Sequence, residues 1–313
     1  MSFAFIFPGQ ASQSLKMMDD FVQYPIVRQV FSMTRDLCGE DYLTMLQDET
    51  TERINQTINT QPLMFVANYA IYQLWRLKYG KLPDYVAGHS LGEWNALVAS
   101  EVLTFAEALA LVRIRAKVMQ DAVPEGSGKM AVVLGLADDI IINVCSEVAS
   151  QTNLVVEAVN FNSPNQVVIA GDSEAINVAM DKLKDAGARR VQLLPVSVPS
   201  HCSLLKAASE RFADSIAPLK FRMPQIPLIH NVDATIYQSG DYIKQAMLKQ
   251  LYMPVLWSKT INNLVELGCN TMMECGPGKV LTGLNKRINP EIINYSLHDP
   301  EDFFKALEQY KTK

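Results

Sequence analysis

The chain has 313 residues, 49% of them hydrophobic and 19% charged, with a net charge of -5 at pH 7. At about 150 residues per domain this is one large or two medium globular domains, and the negative balance argues against nucleic acid as the main partner, though not against a local basic patch. No apolar run approaches the roughly 18 residues of a bilayer span, and five cysteines without metal-type spacing suggest small packing residues in a reducing cytoplasm.

In chain order, Phe3 to Phe7 reads as a first strand. The start lacks a basic segment and breaks at Pro8-Gly9, so it is not a signal peptide. Pro8-Gly9-Gln10 follows directly. In a parallel sheet such loops gather at the carboxyl edge, where Gln10 either helps build an oxyanion hole or is simply a turn residue. Met64 to Leu77 is an apolar helix, Tyr85-Val86-Ala87 ends a second strand, and Glu93 to Ser100 begins another helix. Between these last two lies Gly88-His89-Ser90-Leu91-Gly92, a Gly-x-Ser-x-Gly pattern that lifts a nucleophilic serine onto a sharp strand-to-helix turn. Its glycines let backbone pack closely around a strained serine. The backbone N–H of Leu91 and the positive end of the helix then face any anion formed there. Isolated matches also occur by chance in loops.

Thr104 to Gln120 forms the next helix. Ala108, Leu111, Val112, Val118 and Met119 make its apolar stripe, and Arg115 continues that stripe at i+3 and i+4 spacing. A charge there is costly unless paired. Arg115 therefore has a structural acidic partner or awaits an anionic ligand, and a guanidinium fork suits a carboxylate.

Pro124-Glu125-Gly126-Ser127-Gly128 breaks the chain. Strand Lys129–Leu134, helix Asp138–Ala149, strand Leu154–Val159, turn Asn162-Ser163-Pro164-Asn165, strand Gln166–Ala170, helix Ser173–Ala186 and strand Arg189–Val196 follow. That β-α-β-β-α-β order is the ferredoxin-like plan, so residues 128–197 read as an insertion within a larger body of 1–127 and 198–313. The body resumes with a helix after Pro199, strands near Leu228-Ile229 and Thr271–Cys275, and helices at Tyr242–Leu251 and Val280–Arg287. Alternating strands and helices give an α/β class with a mostly parallel, doubly covered sheet. Gly276-Pro277-Gly278-Lys279 lacks the spacing of a phosphate loop and reads as a strand-to-helix turn; paired metal ligands are missing, so no metal is expected.

Ser90 needs a base, and there are four histidines. His89 adjoins Ser90 on a turn where neighbouring side chains diverge, His230 ends a strand, and His298 lies in a polar tail. His201, in the loop Val198-Pro199-Ser200-His201-Cys202, is either a loop base on a rigid scaffold or a hydrogen-bonded histidine at a helix start.

Seven ordered segments together resemble the malonyl-CoA:acyl carrier protein transacylases of type II fatty acid synthesis. They are Phe7-Pro8-Gly9-Gln10-Ala11-Ser12-Gln13, Gly88-His89-Ser90-Leu91-Gly92-Glu93, Arg115-Ala116-Lys117-Val118-Met119-Gln120, Val159-Asn160-Phe161-Asn162-Ser163-Pro164, Ser197-Val198-Pro199-Ser200-His201, Gln250-Leu251-Tyr252 and Glu274-Cys275-Gly276-Pro277-Gly278-Lys279-Val280-Leu281. The resemblance implies an α/β-hydrolase-like subdomain carrying an inserted ferredoxin-like one. It implies that Ser90 is acylated and that His201 is the base of a dyad without an acid, oriented by the main-chain carbonyl of Gln250. Gln10 and Leu91 would supply oxyanion N–H groups, and Arg115 would grip the free carboxylate of malonyl. Asn160 and Asn162 match segments lining the cleft. Malonyl-CoA is then the donor, the phosphopantetheine of acyl carrier protein the acceptor, and no permanently bound cofactor is expected. The chain is expected to be a free-standing monomer.

Two residues depart from the family's habit: Ala11, often a second glycine, and Trp94, often tyrosine. Lys117, Arg189, Arg190, Lys279, Lys286 and Arg287 are candidates for local basic patches facing an acidic carrier protein, or are solvated surface charges. One rival is an esterase or thioesterase, which would need an acid between serine and histidine in chain order. Asp172 is such an acid, in no recognisable triad segment. A non-catalytic carrier-protein docking subunit is the other, and it would not need Ser90, His201 and Arg115 together.

Overall fold

β1 (Ala4–Phe7) is buried along its whole length. Its alternation decides which layer each residue joins: Phe3, Phe5 and Phe7 enter the large apolar cluster on one face of the sheet, and Ala4 and Ile6 a smaller cluster on the other. A strand covered on both faces is what a parallel sheet requires. The structure, a computed structural model, describes residues 2–50, 52–196 and 198–312. Met1, Thr51, Ser197 and Lys313 fall outside the described residues, Ser197 being the first residue of one quoted motif and the last of the expected insertion.

After β1 come α1 (Pro25–Cys38), α2 (Tyr42–Gln47), α3 (Thr57–Leu77), β2 (Tyr85–Gly88), α4 (Gly92–Ala99) and α5 (Phe105–Gln120). The middle of the chain holds β3 (Gly128–Leu134), α6 (Asp138–Thr152), β4 (Val156–Ser163), β5 (Gln166–Asp172), α7 (Ser173–Asp185) and β6 (Arg190–Leu193). The last part holds α8 (Lys206–Ile216), β7 (Leu228–Ile229), α9 (Gly240–Lys249), α10 (Trp257–Glu266), β8 (Thr271–Glu274), α11 (Val280–Ile288), β9 (Ile293–Ser296) and α12 (Pro300–Tyr310).

Five strands form a sheet of order β7-β2-β1-β8-β9 with every neighbouring pair parallel. Residues of α3, α4, α5 and α12 pack on one face, and Trp257, Ile261, Leu281 and Leu284 from α10 and α11 on the other. The remaining strands form an antiparallel sheet of order β4-β5-β3-β6, the ferredoxin-like arrangement. The fold is thus α/β with two subdomains. Alternation works here too. Ala131 and Val133 of β3 pack under α6 and α7, whereas Met130 turns to the large cluster. The edge strand β4 is tied to the larger subdomain by main-chain bonds, Val255 N–H to Val159 O (2.8 Å) and Phe161 N–H to Val255 O (3.0 Å).

Several boundaries differ from the sequence reading. α3 begins at Thr57 and not Met64, because Pro62 is accommodated inside the helix. β4 runs on to Ser163 through two irregularities in register, so Asn160 and Asn162 lie on a strand and only Pro164-Asn165 turns. β6 is shorter than expected, ending at Leu193. The helix expected at Tyr242–Leu251 ends at Lys249, with Gln250 as its cap. α1, α2, α10, β9 and α12 are absent from the sequence reading; His298, expected in a polar tail, sits between β9 and α12.

Candidate active site

Ser90 stands two residues past the end of β2 and has φ 52°, in the left-handed region that a β-substituted residue enters only under constraint. The constraint comes from the glycines beside it. A Cβ on Gly88 would collide with the Gly92 backbone, and one on Gly92 with the Phe7 carbonyl. Strand end, helix start and the loop after β1 therefore approach closer than any side chain allows. Asn231 locks the turn by accepting from Ser90 N–H (2.7 Å) and donating to Gly88 O (2.6 Å).

The Ser90 hydroxyl lies 2.7 Å from His201 Nε2, and His201 Nδ1 lies 2.7 Å from the main-chain oxygen of Gln250. A carbonyl only accepts, so Nδ1 carries the proton and Nε2 is left to accept from the serine. His201 itself has φ 69°, and its N–H donates to Leu251 O (3.0 Å). The other histidines are engaged elsewhere. His89 Nε2 meets Asn162 Oδ1 (2.8 Å), His230 Nδ1 meets Glu93 (2.7 Å), and His298 divides its two nitrogens between Asp299 (2.9 Å) and Asp302 (3.5 Å).

Arg115 is 1% exposed. It donates through Nη1 to Gln61 Oε1 (2.5 Å) and through Nη2 to Gln250 Oε1 (3.1 Å) and to the Ser90 hydroxyl (3.2 Å). None of these acceptors is a carboxylate, and Nε has no partner. Of the two readings of Arg115, the hydrogen-bonded acidic partner is not found among the described residues. Burial lowers its pKa to about 10, opposed by the nearby Glu93 charge, so it stays cationic at neutral pH. Burial, and then the Arg115 charge, push His201 down to about 3. Loss of water around its ring also lowers His89.

A cavity of about 330 Å³ opens over Ser90 and His201. Gly9, Gln10 and Ala11 form one wall, Asn160 and Asn162 another, and Met130, Val132 and Val168 of the second sheet, with Leu194 just after β6, the apolar roof. Gly9 touches the elbow: a Cβ there would stand 2.5 Å from the His89 carbonyl and 3.6 Å from Leu91 N. That contact brings the loop carrying Gln10 beside the Leu91 amide. The Gln10 side chain meanwhile donates to Thr57 (3.2 Å). Leu91 and Arg115 do not line the cavity; Arg115 reaches it from behind Ser90. Ser90, His201, Gln10, Asn160 and Asn162 all line it, and Gln250 sits behind His201.

The chain matches the family model for the acyl transferase domain over residues 4–288. It is 45% identical over 307 residues to the malonyl CoA-acyl carrier protein transacylase of Escherichia coli K12, covering 98% of this chain and 99% of that one. It belongs to the malonyl-CoA:acyl carrier protein transacylase family of acyl transferases. The Bacillus subtilis member is 35% identical over 98% of this chain and 97% of its own. Among solved structures, a type II PKS malonyl-transacylase in complex with its acyl-carrier protein superposes with a TM-score of 0.96 at 44% identity, covering 99% of this chain and all of that one. The acyl-carrier-protein S-malonyltransferase of Burkholderia pseudomallei gives 0.95 at 44%, with 98% and 100% covered.

The two departures from this transacylase family now have physical readings. Ala11 has φ 78°, a conformation glycine adopts freely and alanine does not. Trp94 is fully buried edge-to-face on Phe212 and does not line the cavity. Sequence reasoning passed over the polar groups that hold the transacylase site from behind: Gln61, Glu93, His230 and Asn231. Each is fully or almost fully buried, which the mixed polar and apolar sequence around it does not signal. Asp172, the acid weighed for a hydrolase triad, instead accepts from Val155 N–H (2.8 Å) at the end of β5.

The depressed His201 pKa links stability to pH. The unfolded chain takes up the proton near the ordinary value of 6.5, the folded chain only near 3, so folding loses stability as pH falls through that window. Urea unfolding is expected to show about 2 kcal/mol less stability from this group at pH 5 than at pH 7. A His201→Gln variant should lose that part of the slope; an identical slope in both proteins would rule the effect out.

Proposed function

We propose that this chain transfers malonyl from malonyl-CoA to the phosphopantetheine thiol of acyl carrier protein through a malonyl-Ser90 intermediate, supplying extender units for fatty acid synthesis. The observation that carries the reading is Arg115: a fully buried cation, hydrogen-bonded only to neutral acceptors, placed against the Ser90 hydroxyl. An acyl group with a free carboxylate would supply the missing anion. The names of the relatives support the same donor and acceptor.

In this reading His201 Nε2 takes the Ser90 proton as Oγ attacks the thioester carbonyl. The Ser90 amide is already bound to Asn231, so the oxyanion falls to the N–H groups of Gln10 and Leu91, beside the positive start of α4. Collapse breaks the C–S bond, and the CoA sulfur leaves with the proton held by His201. The carrier's thiol then gives its proton to His201, attacks the malonyl-serine, and the Ser90 hydroxyl is restored. Gln250 O keeps the imidazole in the tautomer this needs. Asn160 and Asn162 would contact the acyl or pantetheine chain. The division of the chain at 128 and 197, and a cytoplasmic setting favoured by five free thiols, belong to the same proposal.

Intact-protein mass after brief incubation with malonyl-CoA tests it. Wild type should gain one malonyl increment, Ser90→Ala none, and holo acyl carrier protein should remove it. Steady CoA release without an increment would point to a hydrolase; no increment and no release would leave a different acyl donor or a non-catalytic docking role.

A further inference from the structure

Beside the site lies a buried acid that the transfer chemistry above does not use. Glu93, His230 and Gln250 are each at most 1% exposed. Glu93 Oε1 meets His230 Nδ1 (2.7 Å) and accepts from Asn231 N–H (3.4 Å), while Oε2 accepts from Gln250 Nε2 (2.5 Å).

Gln250 is the junction. Its Nε2 also donates to Ser90 O (2.8 Å), its Oε1 accepts from Arg115, and its main-chain oxygen meets His201 Nδ1. An amide side chain has a donor end and an acceptor end of similar shape. A carboxylate only accepts and a guanidinium only donates, so Glu93 and Arg115 together permit one orientation of the Gln250 amide. That side chain then pins the residue that caps α9, whose carbonyl holds His201.

We propose that Glu93 is a positioning residue for malonyl transfer: the acid of the usual triad, displaced by one residue, acting on His201 through Gln250 and held in place by His230. The inference rests on the roles given to Ser90 and His201 above. Glu93 touches neither substrate nor imidazole. It fixes the carbonyl that fixes the imidazole, and its charge offsets the buried Arg115 cation.

The test compares wild type, Glu93→Gln, Gln250→Ala and the double variant, with thermal unfolding to confirm folding. Glu93→Gln is expected to lower the rate of Ser90 acylation by malonyl-CoA about ten- to a hundred-fold, the scale of a small misplacement of a reacting group, with KM little changed. The low-field proton resonance of the His201 Nδ1–H···O bond should shift or broaden. A merely structural role would leave that resonance unaltered in the folded protein. The double variant should be no slower than the worse single one, because both act through one link. Wild-type rate and an unshifted resonance in Glu93→Gln, or losses that multiply in the double variant, would overturn the proposal. Should Glu93→Gln not fold, Gln250→Ala decides alone, since it leaves the Glu93–His230 pair intact: a wild-type rate there also overturns it. A wild-type chain that takes no malonyl on Ser90 would instead bring down the functional reading, and this inference with it.

Discussion

His201→Ala is expected to slow acylation of Ser90 by malonyl-CoA on the order of 10³- to 10⁴-fold, the span of a lost general base acting on a poor nucleophile. The geometry leaves the serine proton no other destination among the described residues. Nε2 is 2.7 Å from Oγ, and the next group on Oγ is Arg115, which only donates. The proton on Nδ1 is committed to Gln250 O, so the imidazole enters the reaction in the accepting tautomer. Burial and Arg115 keep it neutral down to about pH 3 in the free enzyme. The acid limb of kcat/KM should therefore lie well below the ordinary histidine value of 6.5. Mass-resolved single-turnover acylation across pH checks both statements; a His201→Ala variant acylated at the parent rate would remove the dyad from the mechanism.

Arg115→Ala should lose malonyl transfer by about 10⁴-fold while transfer of a neutral acyl group such as acetyl rises. A site built to bond a polar group rejects the analogue lacking it by that order, because buried polar atoms are left unpaired. In the parent protein acetyl leaves the buried Arg115 guanidinium without a carboxylate hydrogen-bonded to it, and malonyl supplies one. The substitution reverses the balance: malonyl would bury an unpaired carboxylate and acetyl would not. There is an accompanying sign on pH. Arg115 is the second cause, after burial, holding His201 down, so its removal raises the His201 pKa and should move the acid limb of acetyl transfer upward. Ratios of kcat/KM for malonyl-CoA and acetyl-CoA decide the matter. Equal malonyl turnover in variant and parent would sink the role given to Arg115.

The transfer reading and the rivals separate on particular atoms. A hydrolase triad places a carboxylate on the histidine; here that position holds a main-chain oxygen. Asp172 is spent at the end of β5, and Glu93 stands one residue further back. A docking subunit would have no use for a cation buried against a serine hydroxyl.

Local chemistry was legible in the sequence. The elbow around Ser90 depends on two glycines and a strained φ within five residues, and the partition of Arg115 from Arg113 on two sides of α5 follows from 100° per residue, with Arg113 exposed and Arg115 buried. The β-α-β-β-α-β rhythm of the second sheet and the strand-to-helix turn at Gly276–Lys279 were likewise written in short-range periodicity. The sequence ends the strand at Val159 and places Asn162 in the turn Asn162-Ser163-Pro164-Asn165, leaving Asn160 beside it. The strand carries them because the bonds between β4 and Val255 tie its backbone and Asn162 meets His89.

Which histidine serves Ser90 could not be read from spacing, since the pair is 111 positions apart. Only the packing of the parallel sheet carries the loop before α8 and the end of α9 over the elbow. The same holds for Asn231 on Ser90, 141 positions away, and for the Glu93–His230 pair, 137 apart. Period and turn chemistry act over a few residues and so are written in the chain. Convergence of polar groups on one serine is set by how the layers stack, and that exists only once the chain is folded.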